Sequence, residues 1–553
     1  MSIYVVEKFT PAESTILRRY FTNLNLPVFA LVNLPEVVKG ALFARYSRSS
    51  KSLRRLFLDE FVGNLDLEGD ITIDATVGLK RAEELYEKVF LEYGDDSVAQ
   101  LGGVHLACEQ SSNLLTKALE WSRLQSYLEQ STRYIPYDTR LSNGLYRYYR
   151  DKDILDSKYG AAYVGQMDTI FDNYSLALKN VISYLNANYD KPKGDSDFVW
   201  RQAIKAKALD VTRGMLPAGS LSNVGIYGSG QSFELLILKL RASLLPEANY
   251  YAKMITHELK KVIPSFLSRV DRKDRGVAWT DYFAQNSKNL EILLNETLAD
   301  SNSKQGNDEF QGSDIRESSV ELVKYDKDGQ DRIVADILYS GSSLCLAELF
   351  NKVKQLSFEQ KRQIFATYVG DRQNRRHKPG RAFEAAVYEF DIVSDYGAFR
   401  DLQRHRMLTV EWQSFTPKLG WSVPEFIEKS GQADLYQKTL TTSKRLYEKL
   451  VDKFPQQASY ALCLGFNVRY RMTMNAREAM HLIELRTSPQ GHSSYRYIAQ
   501  QMYNLILNKA KHNLVANSMK YVDFSENDFE RLDSLRQNEK KVAVTMKHNI
   551  ANS

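Results

Sequence analysis

Apolar residues recur at helical spacing over Arg81–Leu91, Ser111–Gln130, Phe233–Leu240, Glu247–Val262, Leu346–Gln363, Ala433–Lys453 and Tyr495–Lys511, which predicts helices there. Ala385–Ser394 alternates apolar and polar side chains as a strand does. Gly102–Cys108 reads as a strand in the matching place of the first half. Many helices with one sheet per half make an α+β chain. The pattern lapses over 298–319, a polar stretch rich in Gly, Ser and Asn that buries too little apolar area to fold alone. It reads as a linker, giving a first domain over 1–297 and a second over 320–553.

The halves repeat. When Asp95–Tyr134 is laid over Lys378–Pro417, Arg123 falls on Arg406 and Ser131 on Ser414. Further on, Phe233–Arg241 matches Glu478–Arg486 at a shorter offset. The first half therefore carries extra residues, placed in the stretch from Ser142 to Lys205.

Composition narrows the class. The 553 residues are 43% hydrophobic and 26% charged, values of a globular chain. With 74 basic and 68 acidic residues the net charge is +6, too weak an excess to suggest a nucleic-acid binder. Cys108, Cys345 and Cys463 are far apart and lack metal spacing, so neither a disulfide framework nor a zinc site is expected. No apolar run approaches the roughly 18 residues needed to span a bilayer. The first residues lack a signal-peptide pattern. The expected location is the cytoplasm.

The sharpest chemistry is Arg404-His405-Arg406, with Arg400 one helical turn earlier and Ser414 further on. Planar guanidinium forks suit phosphates and carboxylates, and such a cluster is costly to bury without an anion. A bare Arg-His-Arg is most often a solvated edge; the spacing to Ser414 points elsewhere. Together with Thr473-Met-Asn-Ala-Arg-Glu-Ala-Met-His-Leu-Ile-Glu-Leu-Arg486 it resembles the flavin-dependent thymidylate synthases, as a tandem long form. The resemblance implies FAD contacts from Glu384, Arg404, His405, Arg406, Ser414, Asn475, Arg477 and His481, and a nucleotide contact from Arg486. It assigns Arg404, His405, Arg406 and Ser131 to the catalytic centre.

The second half departs from the family at nucleotide contacts. Trp412, Thr416, Ser459 and Asp401 stand where an acid, two arginines and a pyrimidine-binding Gln are expected. The first half shows the reverse. Tyr127–Tyr134 resembles the nucleotide loop, and Thr212–Pro217 the family's Arg-x-x-Leu-Pro element. That implies dUMP contacts from Glu129, Ser131, Thr132, Arg133, Arg213 and Arg241. Its flavin positions are lost, reading Trp121-Ser122-Arg123, Gly230 and Ser232. The expectation is two copies of an antiparallel-sheet domain in a fused pseudo-dimer, one flavin-type and one nucleotide-type. Two such chains would imitate the family tetramer. The implied reaction is reductive methylation of dUMP with FAD, NADPH and 5,10-methylenetetrahydrofolate, a methyl transfer needing no metal.

Weaker candidates remain. Arg372–Arg381 is a basic loop suited to an FAD phosphate, a folate tail or solvent, and His377 within it is a substitute for a lost family His. Gly225–Gln231 follows no clear strand and reads as a turn. His257, His492, His512 and His548 are structural singles. The rival readings are the same fold acting on another pyrimidine, a non-catalytic nucleotide or flavin binder, and, least of all, an RNA-binding protein.

Overall fold

The computed structural model describes residues 4–34, 49–60, 103–298 and 317–526, with scattered positions in 39–46 and 529–540. The helix expected over Arg81–Leu91, the start of the repeat at Asp95, most of the linker and His548 lie outside the described residues. What is described is α+β, with two four-stranded antiparallel sheets and many helices.

The sheets have the same strand order. In the first, β1 (Val28–Leu31), β2 (Gly103–Ser112), β3 (Gln125–Glu129) and β4 (Leu221–Ser229) run β1-β2-β4-β3. In the second, β5 (Ser319–Tyr325), β6 (Val387–Asp395), β7 (Thr409–Trp412) and β8 (Asn467–Asn475) run β5-β6-β8-β7. Each β2 element has its counterpart: the strand runs straight into a short helix, Asn113–Leu119 in one copy and Tyr396–Leu402 in the other. The helix expected over Ser111–Gln130 is thus a strand end, one short helix and β3. Pairing of Gln125–Glu129 with Gly228–Val224 overrides the helical pattern. Gly225–Gln231 is likewise no plain turn, since β4 runs directly into the helix Gly230–Ala242. Leu346–Gln363 is interrupted: one helix stops at Gln355 and the next starts at Phe358 behind a Ser357–Gln360 capping box.

The chain forms two compact units that do not follow its halves. The first comprises 1–171, 217–312 and 442–461; the second comprises 172–216, 313–441 and 462–553. Each therefore takes a segment from the other half of the sequence.

In the first unit both faces of the sheet are covered. Val28, Ala30, Leu106, Cys108, Val224 and Ile226 pack with the helices Gly230–Ala242 and Pro246–Leu259. The alternate residues Phe29, Leu31 and Ala107 pack with Leu17, Phe21 and Phe57. The N-terminal residues thus supply an edge strand and part of a core layer. In the second unit Tyr388, Phe390, Ile392, Tyr470 and Met472 are buried. Between them on the opposite face, Arg469 pairs with Asp391 (3.0 Å) and Arg471 with Glu389 (3.3 Å). This is the period-two alternation of an antiparallel sheet.

Candidate active site

Two strand-to-helix junctions of the second unit position the polar residues. β6 ends at Asp395, whose carboxylate caps the helix Tyr396–Leu402 by accepting from Ala398 N (2.8 Å). That helix stops at Leu402, and the chain turns through Arg404–Arg406 before β7. β8 ends at Asn475, which caps the helix Ala476–Arg486 by accepting from Glu478 N (2.9 Å). Glu478 and His481, three apart, then share a face near its start.

His405 is buried and bonded at both ring nitrogens. Arg486 Nε donates to Nε2 (3.0 Å), and Nδ1 lies 3.0 Å from Glu478 Oε1. Because a guanidinium only donates, Nε2 is the acceptor and Nδ1 carries the proton. Burial holds His405 well below the ordinary imidazole range, and the nearby charges of Arg486, His481, Arg404 and Lys378 add to this. His481, its ring centroid 5.4 Å from that of His405, is pushed down to about 4 by burial and by Lys378, Arg375, Arg486 and Arg477. Glu478 moves oppositely, up to about 7, because burial outweighs Lys378, Arg477 and Arg406.

Asp401 is the second hub. Its carboxylate accepts from Arg404 Nη2 (2.5 Å) and Arg213 Nη1 (3.3 Å), and Arg486 Nη1 lies 3.9 Å away. Its main-chain oxygen accepts from Arg486 Nη2. Arg213 is 4% exposed. Its Nη2 is 3.9 Å from Asp395, yet neither Nε nor Nη2 has a hydrogen-bond partner. A Cβ on Gly397 would stand 3.2 Å from both atoms, so glycine is what admits the guanidinium here.

Arg213 thus joins Arg404 and Arg486 within the second unit. The cause is the backbone of its segment, which is stitched into the second unit. Gly465 N donates to Gly214 O and Leu464 N to Leu216 O (2.8 Å each), and Cys463 Sγ donates to Met215 O (3.2 Å). The expected partition into a flavin half and a nucleotide half does not describe this cluster, which holds residues of both kinds.

The remaining flavin-type residues sit around the same two junctions. Arg477 Nε donates to Pro379 O (2.9 Å), and its Nη1 is 3.7 Å from Glu384, which also meets Arg381 (3.3 Å). Arg406 is exposed, and Ser414 is exposed on the loop after β7. The basic loop Arg372–Arg381 divides its labour. Arg372 is buried against Glu484 (2.7 Å), whereas Lys378 and Arg375 bear on His481. His377 is exposed and accepts from Gln373 N (3.3 Å).

In the first unit, Glu129 is buried with Lys117 at 3.5 Å, and Lys117 also bonds Glu120 (2.7 Å). Ser131 Oγ accepts from Arg133 N (3.2 Å), and Thr132 is buried. Arg241 reaches Asp271 (2.8 Å), Val270 O (3.2 Å) and Thr256 Oγ1 (3.3 Å), so its fork is taken up at the end of its own helix. Ser459 also lies in this unit. His492 Nε2 meets Asp210 O (3.1 Å), and His512 Nδ1 meets the Tyr388 hydroxyl (2.7 Å).

Sequence reasoning missed Glu478, Asp395 and Gly397. Glu478 had a signal, an acid three residues before a motif His, but nothing in the spacing pairs it with His405. His405, Glu478 and His481 offer ligand atoms within 4.8 Å of one another. The surrounding Arg and Lys charges, and the hydrogen bond already taken by His405 Nε2, oppose a cation and suit an anion.

The profile of a family described as "Thymidylate synthase complementing protein" matches residues 41–265 and 321–510. The chain belongs to this family. Its two matched stretches make it a duplicated long form of the family. Full-length relatives of the family include a UPF0159 protein of Chlamydia muridarum, 37% identical over 95% of this chain and 97% of its own. A UPF0159 protein of Thermoplasma acidophilum is 30% identical over 91% of this chain and 99% of its own. Among solved structures, a UMP/dUMP methylase, PolB from Streptomyces cacaoi, bound with 5-Br dUMP, aligns with a TM-score of 0.31 at 18% identity, over 37% of this chain and 99% of that chain. No helix among the described residues is long and apolar enough to cross a membrane.

Proposed function

We propose that the protein is an FAD-dependent thymidylate synthase that methylates dUMP, working in the second unit with nucleotide and flavin contacts in one place. The observation that supports this most is the meeting of Arg213, Arg404 and Arg486 around Asp401, beside His405, His481, Asn475, Arg477 and Glu384. A nucleotide phosphate carries up to two negative charges and asks for guanidinium forks. The buried, unpartnered Nε and Nη2 of Arg213 are donors suited to such an anion.

The donor set also fits a flavin dinucleotide. Lys378, Arg406 and Arg477 act on Glu478, and Lys378, Arg375 and Arg477 on His481, a basic field suited to a diphosphate. Bound FAD would supply hydride to the pyrimidine, with NADPH as reductant and 5,10-methylenetetrahydrofolate as one-carbon donor. The protein's part is to hold both anions, keep His405 and His481 neutral, and exclude water. In the first unit, Ser131, Thr132 and Arg133 are left with auxiliary binding roles, while Glu129 and Arg241 keep their charges satisfied internally. The enzyme would act in the cytoplasm as a homodimer of fused chains, with small molecules rather than nucleic acid as partners.

A visible spectrum of the purified protein tests this, followed by anaerobic NADPH with and without dUMP. Flavin bleached faster with dUMP, followed by dTMP formation, is the expected result. Flavin indifferent to dUMP favours another pyrimidine, a reading to which the buried Asp401 carboxylate lends weight. Absence of flavin after FAD is supplied overturns the assignment.

A further inference from the structure

The bonds around His405 form an unbroken chain that the proposed chemistry does not itself use. Glu478 Oε1 accepts from His405 Nδ1–H (3.0 Å); His405 Nε2 accepts from Arg486 Nε–H (3.0 Å); Arg486 Nη2–H is accepted by the main-chain oxygen of Asp401. Every link has one allowed direction, because arginine only donates and a main-chain oxygen only accepts. The side chains of Glu478 and His405 are 8% and 4% exposed and that of Arg486 is 15% exposed, so water does not substitute freely for a lost partner.

We infer that Glu478 is a positioning residue which, through His405, fixes the Arg486 guanidinium for an anionic ligand. The reasoning is geometric. An imidazole ring that is buried and unrestrained can turn about its axis or carry its proton on Nε2. In that tautomer a ring N–H would face the Arg486 N–H, and the fork would be driven away. Glu478 blocks this by holding the proton on Nδ1. The backbone holds Glu478 in turn, since Glu478 N is the group capped by Asn475. With Nε and Nη2 tied to His405 and to Asp401 O, the fork has one fixed plane. Its Nη1 is directed to the Asp401 carboxylate, where Arg213 and Arg404 also arrive. Glu478 therefore acts on the anion site without touching it.

That the anion is a nucleotide phosphate rests on the proposed function; the chain of bonds does not. The experiment separates the two with a double-mutant cycle on the full-length chain: E478A, E478Q, R486A and E478A/R486A, with dUMP and inorganic phosphate as calorimetric probes. E478A is expected to weaken binding about five- to tenfold. E478Q, whose amide oxygen still accepts from Nδ1–H, is expected to stay within about twofold. In the R486A background, E478A is expected to change nothing further, because its effect runs through Arg486. The same factor lost with and without Arg486, or E478Q as damaging as E478A, overturns the inference. If phosphate shows the coupling while dUMP fails to bind, the relay stands and the nucleotide reading falls. A ligand-free readout covers the case in which neither probe binds: with ¹⁵N-arginine label, the Arg486 Nε–H signal, assigned with R486K, should resist exchange in the wild type and E478Q and lose protection in E478A. Unprotected signal in the wild type overturns the inference. Should E478A fail to fold, E478L, which keeps the volume and removes the acceptor, carries the protection test in its place, and protection retained in it overturns the inference.

Discussion

At the helix-capping ends of β2 and β6 an acid and a hydroxyl meet, but with their places exchanged. In the first unit the cap is Ser112, whose N–H and hydroxyl both donate to buried Glu247 (2.8 and 2.5 Å), and Tyr460 adds a third donor (2.8 Å). In the second unit the cap is Asp395, which accepts from Ser494 at the corresponding position of the following helix. The exchange puts a carboxylate near Arg213 in one unit only. Burial of Glu247 outweighs its three donors and pushes it up to about 7. A carboxyl raised above its unfolded value favours the native state below that unfolded value, and the contribution is lost as pH rises through 7. Wild-type stability should thus fall by up to about 3 kcal/mol between pH 5 and 8 from this group, a slope that Glu247→Gln should lack in urea titrations. Glu247→Ala, which strands the donors of Ser112 and Tyr460, should cost about 2–4 kcal/mol. Under the proposed function, Arg213→Ala should raise KM for dUMP by at least about tenfold, one lost charge-assisted fork. At this scale the sequence was legible where motifs are contiguous: Arg404-His405-Arg406, and Asn475 with Arg477 and His481. The meetings of Asp401 with Arg213 and of Glu478 with His405 stayed hidden because spacing does not say which loops meet.

Helices and strands follow the apolar pattern where length supports it and fail where pairing decides. Phe233–Leu240 and Glu247–Val262 appear as the helices Gly230–Ala242 and Pro246–Leu259, since each has a continuous apolar stripe and a core to face. β3 was illegible because five residues become a strand only beside β4. β2 carries a register shift between Cys108 and Ser111, with Gln110 at φ 57°. The bulge turns Gln110 to bond the main chain of Val5 twice (3.0 Å each), tying the N-terminal residues to the sheet. Gly225 in β4 meets Phe43 so closely that a Cβ would stand 2.4 Å from its ring. Gly225→Ala should therefore cost about 1–3 kcal/mol by forcing Phe43 from its place, read as a lowered denaturation midpoint with unchanged m-value.

For the whole molecule, duplication was visible in the sequence, and the exchange of segments was not. Repeat alignment pairs like with like and carries no record of which copy a segment packs against. Residues 172–216 and 442–461 each complete the unit led by the other half. Chains 1–297 and 320–553 expressed separately should each lack part of a core and be insoluble or molten. Co-expressed, they should recover flavin binding and a cooperative transition. Independent folding of either piece, with native thermal stability, would contradict this account of the units.

The exchange also sets a clock on synthesis. The first unit has its whole sheet by residue 312 but lacks the segment 442–461, with Tyr460, the partner of Glu247, until 461 is made. At roughly 5–20 residues per second, the wait is on the order of 10–30 s. During it, the nascent chain carries a nearly complete fold with Glu247 short of one donor and the surface meant for 442–461 uncovered. A nascent chain paused in that window should thus be more open to proteolysis than the finished protein, which limited digestion of stalled chains would read.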